Sequence, residues 1–257
     1  MEIRACLSPL RGTIVPMLKP TLTADDVRPY HEAIRGKRGL EVGGPSHIFS
    51  AQGALPRVYA DLASLDGVNF STNTVWEGTI RSGPAQYAFA PGVPAGHRYI
   101  AEASALPMRD ESYDFVLSSH CLEHSANPLK ALAETRRVLR RGGFAIYVLP
   151  MKEYTFDHRR DVTPFADLVG HFERDTQEDD LSHLPEILQH HDLNKDLPAG
   201  TFEQFTRRSL ENKTNRCLHH HVFDEALLRE CFSFVDMEVV RFDLVAPFHE
   251  IILVRKR

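Results

Sequence analysis

Residues 113–150 constrain the fold of this chain more than any other stretch. Residues 113–118 are short and almost wholly apolar, which reads as a buried strand. From 129 to 140 the apolar positions Leu129, Leu132, Ala133, Val138 and Leu139 recur at roughly helical spacing. Pro128 suits the first turn of that helix, and Gly142-Gly143 end it. Residues 144–149 read as a second buried strand. Strand, helix and strand with short connections make a right-handed parallel βαβ unit. An open α/β sheet is therefore expected, and such sheets bind ligands in the crevice outside the carboxyl ends of their strands.

Upstream, residues 39–46 read Gly-Leu-Glu-Val-Gly-Gly-Pro-Ser, an apolar strand running into paired glycines and a helix start. Gly43 and Gly44 lack a Cβ, so the chain can turn sharply and approach a ligand closely. Pro45 fits the first turn of a following helix, whose free N–H groups would face whatever sits on the turn. Glu41 argues against a pyrophosphate there and suits an ammonium, a water or a sugar hydroxyl. Residues 47–98 are dense in glycine and proline, which embeds a second strand and its helix in long loops. A third strand is expected at 98–101, just before Glu102. Near the end, Asp224 caps a helix over 224–231, and residues 237–245 and 249–255 alternate around Pro247-Phe248 as an antiparallel hairpin.

Taken in order, Glu41-x-Gly43-Gly44, Glu102-Ala103-x-x-Leu106-Pro107, Tyr113-Asp114-Phe115-Val116, Leu122-Glu123-His124 and Arg137-Val138-Leu139-x-x-Gly142-Gly143 resemble the motifs of class I S-adenosylmethionine-dependent methyltransferases. The resemblance covers about residues 37–150. It implies a Rossmann-like, doubly wound α/β sheet of seven strands, mostly parallel with a C-terminal antiparallel hairpin. Residues 1–36 would be an N-terminal cover and 37–150 the cofactor core. Residues 151–222 would be a helical and loop insertion after strand five that binds the acceptor, and 223–257 would complete the core. S-adenosylmethionine is the implied cofactor and S-adenosylhomocysteine the product. Glu41, Gly43, Gly44, Pro45 and Ser46 would hold the cofactor at the first strand. Glu102, Ala103 and Ser104 would hold its adenine, and Ser119 and His120 would face the methyl group. A carboxylate at the tip of strand two would take both ribose hydroxyls, since it offers two acceptor oxygens. Asp61 and Asp66 stand nearly level for that role, with Asn69 third. The first motif departs from the family's three alternating glycines, because Pro45 and His47 follow Gly43-Gly44, and this bears on loop geometry.

Residues 151–222 are dense in histidine, aspartate and aromatic side chains. Leaving strand five at the ligand edge, they are well placed to build an acceptor pocket. The ends of this segment, Thr155-Phe156-Asp157-His158-Arg159-Arg160 and His219-His220-His221-Val222-Phe223-Asp224, resemble bacterial methyltransferases linked to cell-surface sugar assembly. Methyl transfer from a sulfonium is an in-line displacement, so alignment carries much of the rate. A hydroxyl acceptor also needs a general base or a metal. His120, His124 and His158 are the candidate catalytic residues, with His120 the leading base and Glu123 a supporting partner. Asp157, His158, His219, His220 and His221 are the candidate substrate contacts. In an extended segment His219 and His221 would point one way and His220 the other. No compact carboxylate cluster of the kind that selects Mg²⁺ stands out, so a divalent metal is the less favoured route.

Composition adds limits. At 257 residues and a net charge of −5, the chain is long enough for a large core and has no basic excess, so nucleic acid is not the expected partner. Cys6, Cys121, Cys217 and Cys231 are scattered, and neither a structural zinc nor a disulfide framework is expected. No run is long and apolar enough to span a bilayer and the N-terminus lacks a signal-peptide core, so a cytoplasmic protein is expected. Nothing in the sequence fixes an oligomeric state. The expected function is O-methylation of a saccharide or other polar small-molecule hydroxyl. N- or C-methylation of a secondary metabolite is the rival chemistry, and a non-catalytic cofactor-binding interaction module is the rival of another class.

Overall fold

The computed structural model describes residues 18–257, so the expectations for residues 1–17, including Cys6, lie outside the described residues. In chain order the elements are α1 (Ala24–Ile34), β1 (Arg38–Val42), β2 (Ser64–Asn69), β3 (Asn73–Thr74), β4 (Gly78–Thr79), β5 (Gly83–Tyr87), β6 (Gly96–Ile100) and β7 (Tyr113–Ser119). There follow α2 (Pro128–Val138), β8 (Leu139–Pro150), α3 (Phe165–Glu173), α4 (Leu184–His190), α5 (Phe202–Leu210), α6 (Asn212–Asn215), α7 (Glu225–Phe234), β9 (Met237–Val245) and β10 (His249–Lys256). The main sheet has the order β5-β6-β2-β1-β7-β8-β10-β9. The strands from β6 to β8 pair in parallel, and β10 runs antiparallel to both β8 and β9.

Alternation along the strands explains why the sheet is covered on both sides. Phe115, Leu117, Ile146, Val148, Ile251 and Leu253 are buried in one cluster with Tyr30 and Ile34 of α1. Their neighbours Val116, Ala145, Tyr147, Leu149, Ile252 and Val254 are buried in another with residues of α2, α3 and α7. Successive side chains of a strand point to opposite faces, so strands buried on both faces read as continuous apolar runs. That pattern made β7 and β8 visible in the sequence.

The expected sheet of seven strands gains an eighth, β5, which pairs antiparallel with β6 at the edge. The turn formers between β2 and β6 prevent a crossover helix. That stretch folds instead as β5 and a separate ribbon of β3 and β4. No α-helix follows Pro45 either. The chain makes a 3₁₀ turn, His47–Phe49, with Ser46 as its cap, and a second, Val58–Asp61. Helix α2 stops at Val138, two residues early, and β8 begins at once with Leu139. Gly142, at φ +71°, takes up the register shift that this creates between β7 and β8. The terminal helix and hairpin form as expected, with Asp224 accepting from the Leu227 N–H at 2.8 Å.

Residues 151–222 carry α3 to α6. Helix α3 packs against α2 and α7, and Leu184, Ile187, Ala199, Phe205 and Leu218 form a small core of their own. Among the described residues no helix is long and apolar enough to cross a membrane.

Candidate active site

A cleft of about 610 Å³ opens where β1, β2, β6, β7 and β8 end. Of the residues expected at the cofactor, Gly43, Pro45, Ser46, Asn69, Glu102, Ala103, Ser119 and His120 line it. His124 and His219 line it too, and Phe248 and His249 close it from the terminal hairpin.

The glycine turn is held from behind by Glu41, which is fully buried and does not reach the cleft. Its carboxylate accepts from the Tyr59 hydroxyl at 2.8 Å, the Tyr87 hydroxyl at 2.7 Å and the Ser46 N–H at 3.1 Å. A Cβ on Gly44 would lie 2.2 Å from the Glu41 carboxyl carbon and 2.3 Å from the Tyr87 hydroxyl, so glycine is required for this packing. Glu41 is therefore a buried brace of the loop, behind the cleft lining. Burial pushes its pKa up to about 7 against the pull of those hydrogen bonds. A carboxyl whose pKa is raised on folding binds its proton more tightly when folded. Its contribution is largest below the unfolded pKa and declines as pH rises to about 7, by roughly 3 kcal/mol in all. In Glu41→Gln the drop in thermal unfolding midpoint between about pH 5 and about pH 8 should shrink. A slope identical to that of the parent would mean that Glu41 is ionised throughout.

Strand β2 separates the three ribose candidates. Asp66 lies inside the strand, where it accepts from the Tyr113 hydroxyl at 2.8 Å and the His97 N–H at 2.8 Å and pairs with Arg38. Asp61 sits in a 3₁₀ turn and pairs with His31 and Arg35. Neither lines the cleft. Asn69, ranked third, ends the strand in the cleft wall and donates to the Gly44 carbonyl at 3.1 Å. Beside it the β3–β4 ribbon delivers Glu77, which no local pattern announced. Arg98 joins the two, donating to Asn69 Oδ1 at 2.7 Å and Glu77 Oε2 at 2.8 Å. At the tip of β6, Glu102 lines the cleft and pairs with Arg216 of the insertion at 2.7 Å, while Ser104 lies outside the lining.

The opposite end of the cleft is a histidine cluster around one carboxylate. His120 follows β7 with φ +48°, a left-handed conformation uncommon for a residue with a side chain. Its Nε2 meets His249 Nδ1 at 3.0 Å, and its Nδ1 stands 3.5 Å from Glu123 Oε1. Glu123 is 1% exposed, and neither of its oxygens has a hydrogen bond among the described residues. Burial would raise its pKa, yet His120, His124 and His219 hold it below the usual glutamate value. Burial pushes His124 down to about 4, and its Nδ1–H donates to the Leu218 carbonyl at 2.9 Å. His219 presents Nδ1 to Asp157 Oδ2 at 2.5 Å. Burial opposes protonation of His219, but the Asp157 carboxylate raises its pKa above the ordinary value. Burial would likewise raise Asp157, but His219 and Arg160 bring it down to about 2.

Arg160, almost fully buried, accounts for the meeting of the two ends of the insertion. It donates to Asp157 Oδ1 at 2.9 Å, to the His219 carbonyl at 2.8 Å and to the His220 carbonyl at 3.2 Å. Other expected contacts lie elsewhere. His158 turns to Asp192 at 2.8 Å, and His220 meets Asn212 at 2.9 Å. The 219–221 segment is not a strand, so the expected alternation does not apply. His219 enters the cleft, whereas His221 packs against His171 and His183. Phe248 and His249 line the cleft with no local sequence signal to mark them. The register that sets His249 opposite Pro150 brings them to the same sheet edge.

Residues 52–147 match the family model described as "Methyltransferase domain". Over that stretch the chain is similar to a methyltransferase domain, set within a sheet of the Rossmann-like order expected. The matched stretch excludes the glycine turn and residues 151–222 but includes Asn69, Glu77, Glu102, His120, Glu123 and His124 of the cleft. An uncharacterized methyltransferase of Mycobacterium ulcerans is 35% identical over 116 residues, 45% of this chain and 40% of that protein. The chain matches only 22%, 31% and 40% of the length of three curated relatives. A solved S-adenosylmethionine-dependent methyltransferase from Mesorhizobium loti superposes with a TM-score of 0.50 at 11% identity, over 90% of this chain and 95% of that one. A structure from Rhodobacter sphaeroides that carries the name of a Zn-dependent alcohol dehydrogenase gives 0.55 at 13% identity, over 92% and 91%. Such identities establish a shared fold and give this chain no activity.

Proposed function

We propose that this protein is an S-adenosylmethionine-dependent methyltransferase acting on a hydroxyl of a saccharide or another polar small molecule. The observation that carries the reading is the division of one cleft into two unlike ends. The glycine turn, Asn69, Glu77 and the tip of β6 make an end suited to a nucleoside with an amino-acid tail. His120, Glu123, His124 and the Asp157–His219 pair make an end suited to proton removal. Trp76, largely exposed at the cleft and edge-on to His124, gives a flat apolar face of the kind that sugars stack on.

In this reading Glu77 holds a ribose hydroxyl through the oxygen not bound to Arg98, with Asn69 beside it. His219 is the general base. Asp157 occupies its Nδ1, which leaves Nε2 for the acceptor proton, whereas both ring nitrogens of His120 already face protein groups. The base removes the proton as the acceptor oxygen attacks the sulfonium methyl carbon and S-adenosylhomocysteine departs. His120 then borders the methyl group. A metal held by Glu123, His124 and His219, whose ligand atoms lie within 4.8 Å of one another, is the alternative activator.

Isothermal titration with S-adenosylmethionine, followed by a methyl-release assay over a panel of saccharides and polar hydroxyl compounds, tests the proposal. Binding without turnover of any acceptor would favour an interaction module, and turnover of amines alone would favour N-methylation. Glu77→Gln should weaken cofactor binding about tenfold or more, the value of a hydrogen bond to a charged group. An unchanged dissociation constant would remove Glu77 from the ribose site.

A further inference from the structure

We propose that His171, His183 and His221 form a structural zinc site outside the cleft, fastening the insertion to the core. One ligand comes from α3, one from the residue before α4 and one from the returning chain just before α7. Their ligand atoms lie within 4.8 Å of one another, and none of the three lines the cleft.

The ring nitrogens lie close enough together to share one ion. His171 Nε2 stands 3.0 Å from His183 Nε2. Two nitrogens bound to one tetrahedral zinc at 2.0–2.1 Å sit about 3.3 Å apart, so an ion fits between them with little movement. His221 is 1% exposed, and its Nδ1 is a buried polar atom with no hydrogen-bond partner among the described residues. A buried imidazole nitrogen without a partner is costly unless something fills the place. The other nitrogens carry the outer contacts that orient a ligating histidine. His221 Nε2 faces the Ala126 carbonyl at 3.4 Å, and His171 Nδ1 faces Thr176 Oγ1 at 3.1 Å. The donor set is all imidazole, which suits zinc and not the hard cations that prefer oxygen. A water would complete the tetrahedral set.

The sequence expectation against structural zinc rested on cysteine spacing, and this site uses none. Because His221 lies two residues from His219, the ion would also fix the chain that carries the proposed base, although the zinc proposal does not depend on that role.

The test uses the full chain stripped by a chelator and titrated with Zn²⁺ alone, with metal content and thermal unfolding as readouts. About one zinc per chain should bind and raise the unfolding midpoint. His183→Gln, at a partly exposed position, should lose both the ion and the rise in midpoint. His219→Gln should keep both. Co²⁺ in place of zinc should give the visible bands of a tetrahedral site in the parent and not in His183→Gln. Failure of the parent to take up zinc, retention of zinc in His183→Gln, or its loss in His219→Gln would overturn the proposal, the last by placing the ion in the cleft.

Discussion

A Gly43→Val protein should show no measurable S-adenosylmethionine binding, a loss of more than about 100-fold, while its far-ultraviolet dichroism stays that of the parent. Two effects act at this one position. Gly43 has φ +81°, and a residue with a Cβ pays roughly 1–2 kcal/mol to enter the left-handed region, more when it is β-branched. The Cβ would also sit 2.9 Å from Cys121 Sγ at the tip of β7. The loop cannot relax freely, because the Gly43 N–H donates to the Val68 carbonyl at 2.8 Å and Asn69 holds the Gly44 carbonyl. It must therefore move into the cleft, where the cofactor would lie. Gly44→Ala is the contrasting case. Its added Cβ meets the Glu41 carboxyl and the Tyr87 hydroxyl, so its main effect should be a lowered unfolding midpoint. A Gly43→Val protein with unchanged affinity would put the cofactor somewhere other than on this turn.

What could be read from the sequence depended on how local its cause was. β7, α2 and β8 were legible because their apolar periodicity follows from burial on both faces of the sheet, and Pro128 marks the helix start. The terminal hairpin was legible from the alternation around Pro247-Phe248. β2 was obscured by its own polar residues. Asp66 lies mid-strand because Tyr113, Arg38 and the His97 N–H satisfy it there, and those partners are distant in sequence. Glu77 could not be found for a similar reason, since a short ribbon carries it to the end of a strand that finished eight residues earlier. The histidine run at 219–221 was visible as chemistry but not as geometry. Its residues part company because Arg160 and Asp157 hold the 219–220 backbone and the His219 ring, while the 221 side chain meets α3.

Removing the His219 imidazole should have the largest effect on chemistry. In His219→Ala, turnover of whichever hydroxyl acceptor the parent methylates should fall by about 10²–10⁴, the usual contribution of a general base, with cofactor affinity unchanged. Asp157→Asn separates a base from a mere packing residue. In the parent, Asp157 raises the His219 pKa, so the base is protonated and lost as pH falls, beginning above the ordinary imidazole value of about 6.5. Without that carboxylate the imidazole gives up its proton more easily, so the acidic limb of the pH–rate profile should move to lower pH. The plateau should fall as well, because Nδ1 is no longer held and Nε2 is no longer aimed. A structural role for Asp157 predicts a lower plateau with the limb unmoved. His120→Ala sets the other boundary. If that variant loses turnover and His219→Ala does not, the base lies at the tip of β7. If a chelator abolishes turnover in the parent and His183→Gln remains active and chelator-sensitive, then Glu123, His124 and His219 hold an activating metal and His219 serves as ligand instead of base.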